Sequence, residues 1–116
     1  MTLRQRLRRL VGGSSVDVAD AAAAREDLGG VPIGEVTDRA RVVVVGVVRA
    51  LRLPPADGSP HLVAELDDGS GTLDLVWLGR RSVPGIDPGV RLRAEGRVSR
   101  VAGRATLHNV RYDILP

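Results

Sequence analysis

The side chains of this 116-residue chain that could do chemistry are carboxylates and guanidiniums, and they are separated along the sequence. Residues 61 to 75 hold Glu65, Asp67, Asp68 and Asp74 and no arginine, whereas residues 76 to 111 hold arginines at 80, 81, 91, 93, 97, 100, 104 and 111 against only Asp87 and Glu95. Adjacent carboxylates such as Asp67 and Asp68 could hold a divalent cation or move protons. These two, however, abut Gly69-Ser70-Gly71, where short acidic side chains cap a turn and stay solvated. The same Gly-Ser-Gly lacks the lysine and following helix of a phosphate-binding loop. With no cysteine there is no thiolate nucleophile and no disulfide framework, and His61 and His108 are too few for a zinc site unless carboxylates complete it. No G-x-S-x-G elbow occurs. The reading is therefore of a chain with no catalytic residues, no metal, no cofactor and no small-molecule substrate. What remains is arginine, which forks onto planar anions and stacks on flat rings. All 17 basic side chains are arginine, a bias that a GC-rich coding sequence explains as well as selection does, and the net charge is +3.

These groups must be positioned by the elements around them. Residues 62 to 81 hold two alternating apolar runs about Asp68-Gly69-Ser70-Gly71, the pattern of a tight β-hairpin, because glycine reaches positive φ without a Cβ clash. Leu62, Ala64 and Leu66 share one face of its first strand, and Leu73, Leu75 and Trp77 one face of its second. Before it, a strand over residues 41 to 53 is too long to run straight, and Gly46 in its middle predicts a bulge or sharp coil that lets it serve two sheet faces. After it, Pro and Gly between Arg80 and Gly89 lead to a fourth strand in which Val90, Leu92, Ala94, Gly96 and Val98 alternate with Arg91, Arg93, Glu95, Arg97 and Ser99. Ala102-Gly103 turns into a fifth strand over residues 104 to 115, whose apolar phase changes near Asn109. Upstream, residues 2 to 11 have the spacing of a short basic helix. A second helix is expected from about Val16 to Leu28, stopped by Gly29. The division expected is a helical arm over residues 1–30 and a β domain over 31–116. The chain is long enough for one core only. Its longest apolar run, residues 42–48, falls far short of the roughly 20 residues that cross a bilayer, and no signal peptide is evident at the N-terminus. A soluble, cytoplasmic protein with no membrane partner is expected.

Five strands with a coiled first strand, a tight turn between the second and third, and no βαβ alternation predict a small mainly β Greek-key barrel, with one or two short N-terminal helices. The detailed pattern resembles the OB-fold nucleic-acid-binding proteins. It consists of V-x-G-x-V (Val44 to Val48), L-x-A-x-L-x-D-G-S-G (Leu62 to Gly71), L-V-W-L-G-R (Leu75 to Arg80), Pro88-Gly89, G-R-V (Gly96 to Val98) and G-R-x-x-L-x-N (Gly103 to Asn109). Over residues 31 to 116 it is similar to small stand-alone OB proteins of high-GC bacteria. More distantly it is similar to the OB wedge of branch-migration DNA helicases and to synthetase anticodon-binding domains. The chain departs from that pattern at Val110, where a proline is common, and at Leu78, where an aromatic is common. The link from Arg80 to Gly89 is also short for the helix such barrels carry between their third and fourth strands.

The resemblance implies a non-enzymatic module binding nucleic acid, single-stranded or branched DNA ahead of RNA, weakly and with little sequence preference. Such binding needs cations along the backbone path and flat faces for bases. The candidates are Arg49 and Arg52 at the end of the first strand, His61 and Trp77 on the hairpin, Arg80 and Arg81 after it, and Arg93, Arg97, Arg100 and Arg104 around the last two strands. Trp77 and Tyr112 are the only aromatics, and alternation turns both toward the core or its rim. The hairpin carboxylates make it a poor phosphate surface by themselves, so the ligand is expected to lean on arginines at its far end and beyond. The alternative is a protein-interaction module that docks through the basic helix of residues 1–12 or through the acidic hairpin face.

Overall fold

The computed structural model describes residues 15–53 and 58–116. Helix α1 (Ser15–Arg25) and a 3-10 turn (Ile33–Glu35) precede six strands: β1 (Arg41–Arg52), β2 (His61–Asp67), β3 (Thr72–Leu78), β4 (Arg91–Val101), β5 (Arg104–His108) and β6 (Arg111–Ile114). The expected helix over residues 2 to 11 lies outside the described residues, as does the 54–57 part of the first loop. The sheet order β1-β2-β3-β5-β4-β6, with β1 also paired to β4, closes the strands into a ring. All neighbours are antiparallel except β3 and β5. This is the expected Greek-key barrel, with its fifth strand divided in two. The division falls at Asn109, where the apolar phase changes. Asn109 is left-handed (φ 47), its N–H donates to Val76 O at 2.7 Å, and its Oδ1 accepts from Leu78 N at 3.1 Å. One residue thus ends the pairing with β3 and redirects the chain onto β4.

The length of β1 is used as its sequence suggests. Arg41 to Val47 pair with β4, and Val47 to Arg52 pair with β2. The register slip, however, lies between Val48 and Ala50, so the bulge is at Arg49 and not at Gly46. The reason lies on the strand's other edge: Val48 N donates to Val90 O and Val48 O accepts from Gly89 N, both at 2.8 Å, so partners change there. Gly46 has a different task. A Cβ on it would lie 2.8 Å from Asp67 O, so glycine lets the end of β2 cross tightly over β1.

Inside the ring lie Leu62, Ala64 and Leu66 with Leu73, Leu75 and Trp77, the residues that alternation assigns to the core, joined by Val44, Val48, Leu92, Ala94, Val98 and Leu107. No helix caps the β3–β4 end among the described residues. Val83 and Ile86, from the Pro/Gly-rich link, are buried there instead. β1 is covered on its other face too, because Val45 and Val47 pack under Ala21, with Val18, Leu28 and Leu115 around them. A strand buried on both faces reads as a continuous valine run rather than an alternation. Helix α1 ends at Arg25, short of the expected Leu28, and a turn leads to Gly29, which is left-handed (φ 75) as a stop requires, with Gly30 N closing back on Arg25 O at 2.9 Å.

Asp68 departs from expectation. It caps its turn, with Oδ1 accepting from Ser70 N (2.9 Å), Ser70 Oγ (2.6 Å) and Gly71 N (3.2 Å), but it is buried rather than solvated. Its Oδ2 accepts from Ile33 N at 2.9 Å and from Arg25 Nη1 at 3.3 Å. A single carboxylate therefore ties the hairpin turn to the 3-10 segment and to helix α1. Asp67 makes the simpler cap, accepting from Gly69 N at 2.8 Å. Replacing Asp68 by Ala strands the buried Ile33 N–H and the turn donors together, and is expected to cost about 3 kcal/mol in urea unfolding. Asp68→Asn, which keeps one acceptor oxygen, should cost less. Conversely, the two-residue β4–β5 turn has both Ala102 (φ 51) and Gly103 (φ 79) left-handed. That turn type favours Asn-Gly, so Ala102→Asn should raise stability by up to about 1 kcal/mol in the same assay.

Candidate nucleic-acid interface

Strand register builds the outward face of β1, β2, β3 and β5 in rows. One row runs Arg52, Val63, Val76, His108, and the next runs Ala50, Glu65, Asp74, Thr106. At the upper edge His61 stands opposite Leu78. Leu78 is 57% exposed. His61 is half-buried, with Nδ1 at 3.1 Å from Ser59 O.

The second row is where the separated charges of the sequence meet. Asp74 is central, with its side chain 9% exposed. Arg52 Nη2 reaches Asp74 Oδ2 at 2.7 Å. Arg104 grips the same carboxylate with both prongs, Nε to Oδ2 at 2.9 Å and Nη2 to Oδ1 at 3.0 Å, and reaches Glu65 Oε1 at 3.2 Å. Burial pushes the Asp74 carboxyl up, but hydrogen bonds from Arg104 and Arg52 and their charges outweigh it, so the group is held below the usual aspartate value. The hydrogen bond to Asp74, with the carboxylate's charge, raises Arg104 above the ordinary arginine value. Arg52 (52% exposed) and Arg104 (42% exposed) remain open to solvent above an almost buried Asp74. Arg49, thrown outward by the bulge, adds a looser pair with Asp67 at 3.9 Å. The acidic hairpin face is thus overlaid by guanidinium groups from strands distant in sequence.

Of the candidates, Arg49, Arg52, His61 and Arg104 share this face. Arg80 and Arg81 are exposed just beyond the end of β3. Trp77 is in the core, 6% exposed, with its ring edge-to-face against Tyr112 at 5.7 Å and 87°, so it presents no free face to a base. Arg93 lies on another side of the barrel, its Nε donating to Leu28 O at 3.4 Å and Nη1 lying 3.6 Å from Asp113. Arg97 and Arg100 lie beside Arg39 and His108 around a separate concavity. Reading the sequence alone missed Asp74 as an organiser, Leu78 as exposed apolar surface, and both His108 and Arg39. His108 had a signal: once Ala105 and Leu107 face inward, Arg104, Thr106 and His108 must share the outward phase.

Residues 42–115 match the tRNA anti-codon family model, described as an OB-fold nucleic acid binding domain. The chain belongs to this OB-fold family. Among solved structures, the OB domain is similar to a chain of a replication protein A heterotrimer bound to ssDNA, with 15% identity and a TM-score of 0.53, over 69% of this chain and 61% of that one. It is also similar to the p204 HINb domain, with 12% identity and a TM-score of 0.56, over 99% of this chain and 52% of that one. The OB domain thus spans three fifths of the first chain and half of the second, and at these identities the likeness is one of fold. No curated protein matches the sequence. Among the described residues, no helix is long and apolar enough to cross a membrane.

The lowered Asp74 carboxyl has a consequence for stability. A group whose folded value is depressed contributes stability that is complete above its ordinary value of 3.8 and is lost as pH falls through the folded one. Asp74→Asn should therefore lower the melting temperature at neutral pH, and the gap between variant and wild type should shrink as pH falls below about 4. Thermal melts across that range read this directly.

Proposed function

We propose that this OB domain is a non-enzymatic module that binds single-stranded DNA across the outward face of β1, β2, β3 and β5. Arg52 and Arg104 meet phosphates, while His61, Val63 and Leu78 lie against bases. The observation that carries this reading is the Arg52–Asp74–Arg104 array. A guanidinium offers five donors in a plane, and a carboxylate on one edge leaves the others directed outward in a fixed orientation. Holding two long side chains in place before the ligand arrives lowers the ordering cost of binding. The exposed Leu78, opposite His61 at the end of the hairpin, gives the face an apolar edge, as bases require. With a histidine and aliphatic side chains in place of an aromatic platform, stacking contributes little. Affinity is then mainly electrostatic, modest and tolerant of sequence. Arg49, Arg80 and Arg81 extend the cationic path at the margins of the face.

The acidic-face alternative has less to stand on. Glu65, Asp67 and Asp74 are already engaged by arginines, which leaves little free negative charge for a basic protein partner.

Fluorescence anisotropy with single-stranded DNA, duplex, branched DNA and RNA at several salt concentrations tests the reading. Single-stranded DNA should bind in preference to duplex, with log affinity falling by about 0.7 per phosphate contact for each decade of salt. Arg104→Ala should weaken binding and reduce that slope by about 0.7. Asp74→Asn is the sharper variant. It removes a negative charge, so simple charge attraction demands tighter binding, whereas an organising role for Asp74 demands weaker binding despite the more positive face. Tighter binding by Asp74→Asn, or binding insensitive to salt, would overturn the proposal.

A further inference from the structure

Among the described residues, two arginines without a carboxylate partner stand together away from this face. Asp38, Arg39, Arg97, Ser99, Arg100 and His108 line a concavity of ≈ 490 Å³ on the β4 side of the barrel. Arg100 Nε donates to Asp38 Oδ1 at 2.8 Å, which engages the one acid there. Among the described residues, Arg39 and Arg97 have no carboxylate partner. Two further features are unfavourable in the free protein. Arg97 stands directly opposite Arg41 across the β1–β4 pair, where like charges repel, and it is Arg41 that has Glu95 at 3.8 Å. Arg39 is left-handed (φ 68), a conformation that a Cβ disfavours, and it is held so by Arg39 N donating to Val98 O at 2.7 Å and Val98 N donating to Ala40 O at 2.9 Å. Strain and uncompensated charge placed together at a concavity point to a ligand that relieves the charge. Ser99 Oγ and His108 Nδ1, 3.5 Å apart, add hydrogen-bonding groups beside the cations.

We infer that this concavity is a second anion site that takes a phosphate group between the guanidiniums of Arg39 and Arg97, with Ser99 and His108 completing its hydrogen bonds. The site is separate from the Arg52–Asp74–Arg104 face, yet His108 belongs to both surroundings, since it pairs with Val76 across β5 and β3. A strand leaving the face over β5 would therefore carry its backbone phosphate into the concavity. A free phosphate has the same chemistry, and experiment separates the two sources.

The test uses the full chain and an Arg39→Asn/Arg97→Gln double variant. Asparagine tolerates the left-handed backbone, both side chains are exposed, and a thermal melt checks the fold. In amide-resolved NMR, inorganic phosphate should shift signals of residues 38, 39, 97–100 and 108 in the wild type, and the double variant should need about tenfold more phosphate. Anisotropy with a short and a longer single-stranded oligonucleotide then assigns the source. If backbone phosphate is the ligand, the double variant loses affinity for the longer oligonucleotide only. If free phosphate is the ligand, both oligonucleotides bind the variant as they bind the wild type while the phosphate response is lost. Wild-type signals that do not move with phosphate, or that move equally in the double variant, would overturn the site. Failure of oligonucleotides to bind the wild type would sink the face reading instead, and the phosphate titration would still decide this one.

Discussion

A buried carboxylate in the β2–β3 turn holds the parts of the molecule in register. Asp68 accepts hydrogen bonds from its own turn with one oxygen, and from Ile33 N and Arg25 with the other. A carboxylate is withdrawn from water only where donors replace its hydration, and here they come from three segments far apart in the chain. The geometry around it is close. Gly34 N donates to Ser70 Oγ at 3.0 Å, and a Cβ on Gly34 would lie 2.6 Å from Ser70 O, so glycine is what lets the two backbones meet. With the turn anchored, the registers of β2 and β3 are set, and the outward rows of the β1, β2, β3 and β5 face follow from them.

The second constraint is on β1, which has too many neighbours for a regular strand. It pairs with β4, then β2, is covered by α1 outside and faces the core inside. Gly46 permits the close crossing, and the bulge at Arg49 lets the strand change partners. That bulge also brings Ala50 opposite Glu65 and Arg52 opposite Val63, which places the Arg52 guanidinium over Asp74. The irregularity that closes the barrel is thus the one that supplies a cation to the acidic hairpin. Arg104 arrives from the other side because β5 pairs parallel with β3, a pairing between segments some thirty residues apart.

Much of the fold was legible because its signals are local. The Asp68 to Gly71 turn, the alternation in β2 and β4, the glycine stop of α1 and the phase change at Asn109 each depend on a few neighbouring residues and the backbone angles they favour. The bulge was displaced because the pairing of Val48 with Gly89 and Val90 is not a property of β1's own residues. The solvated reading of Asp68 failed for the same reason: the donors that make its burial tolerable, Ile33 N and Arg25, lie 35 and 43 residues away.

By itself the sequence determined the hairpin, the strand phases and hence the core, the identity of the barrel, and a supply of arginines with hardly any aromatic side chains to accompany them. Tertiary structure alone decided which arginine meets which carboxylate. An acidic segment and a basic segment read in one dimension look like opposed surfaces, one repelling phosphate and one attracting it. Coulomb attraction acts over a few ångströms whatever the separation along the chain, and the strand order brings Arg52 and Arg104 to Asp74 and Glu65 while leaving Arg39 and Arg97 without a partner among the described residues. Among the described residues, which arginines a carboxylate engages is therefore a property of the register, which residue types do not encode one position at a time.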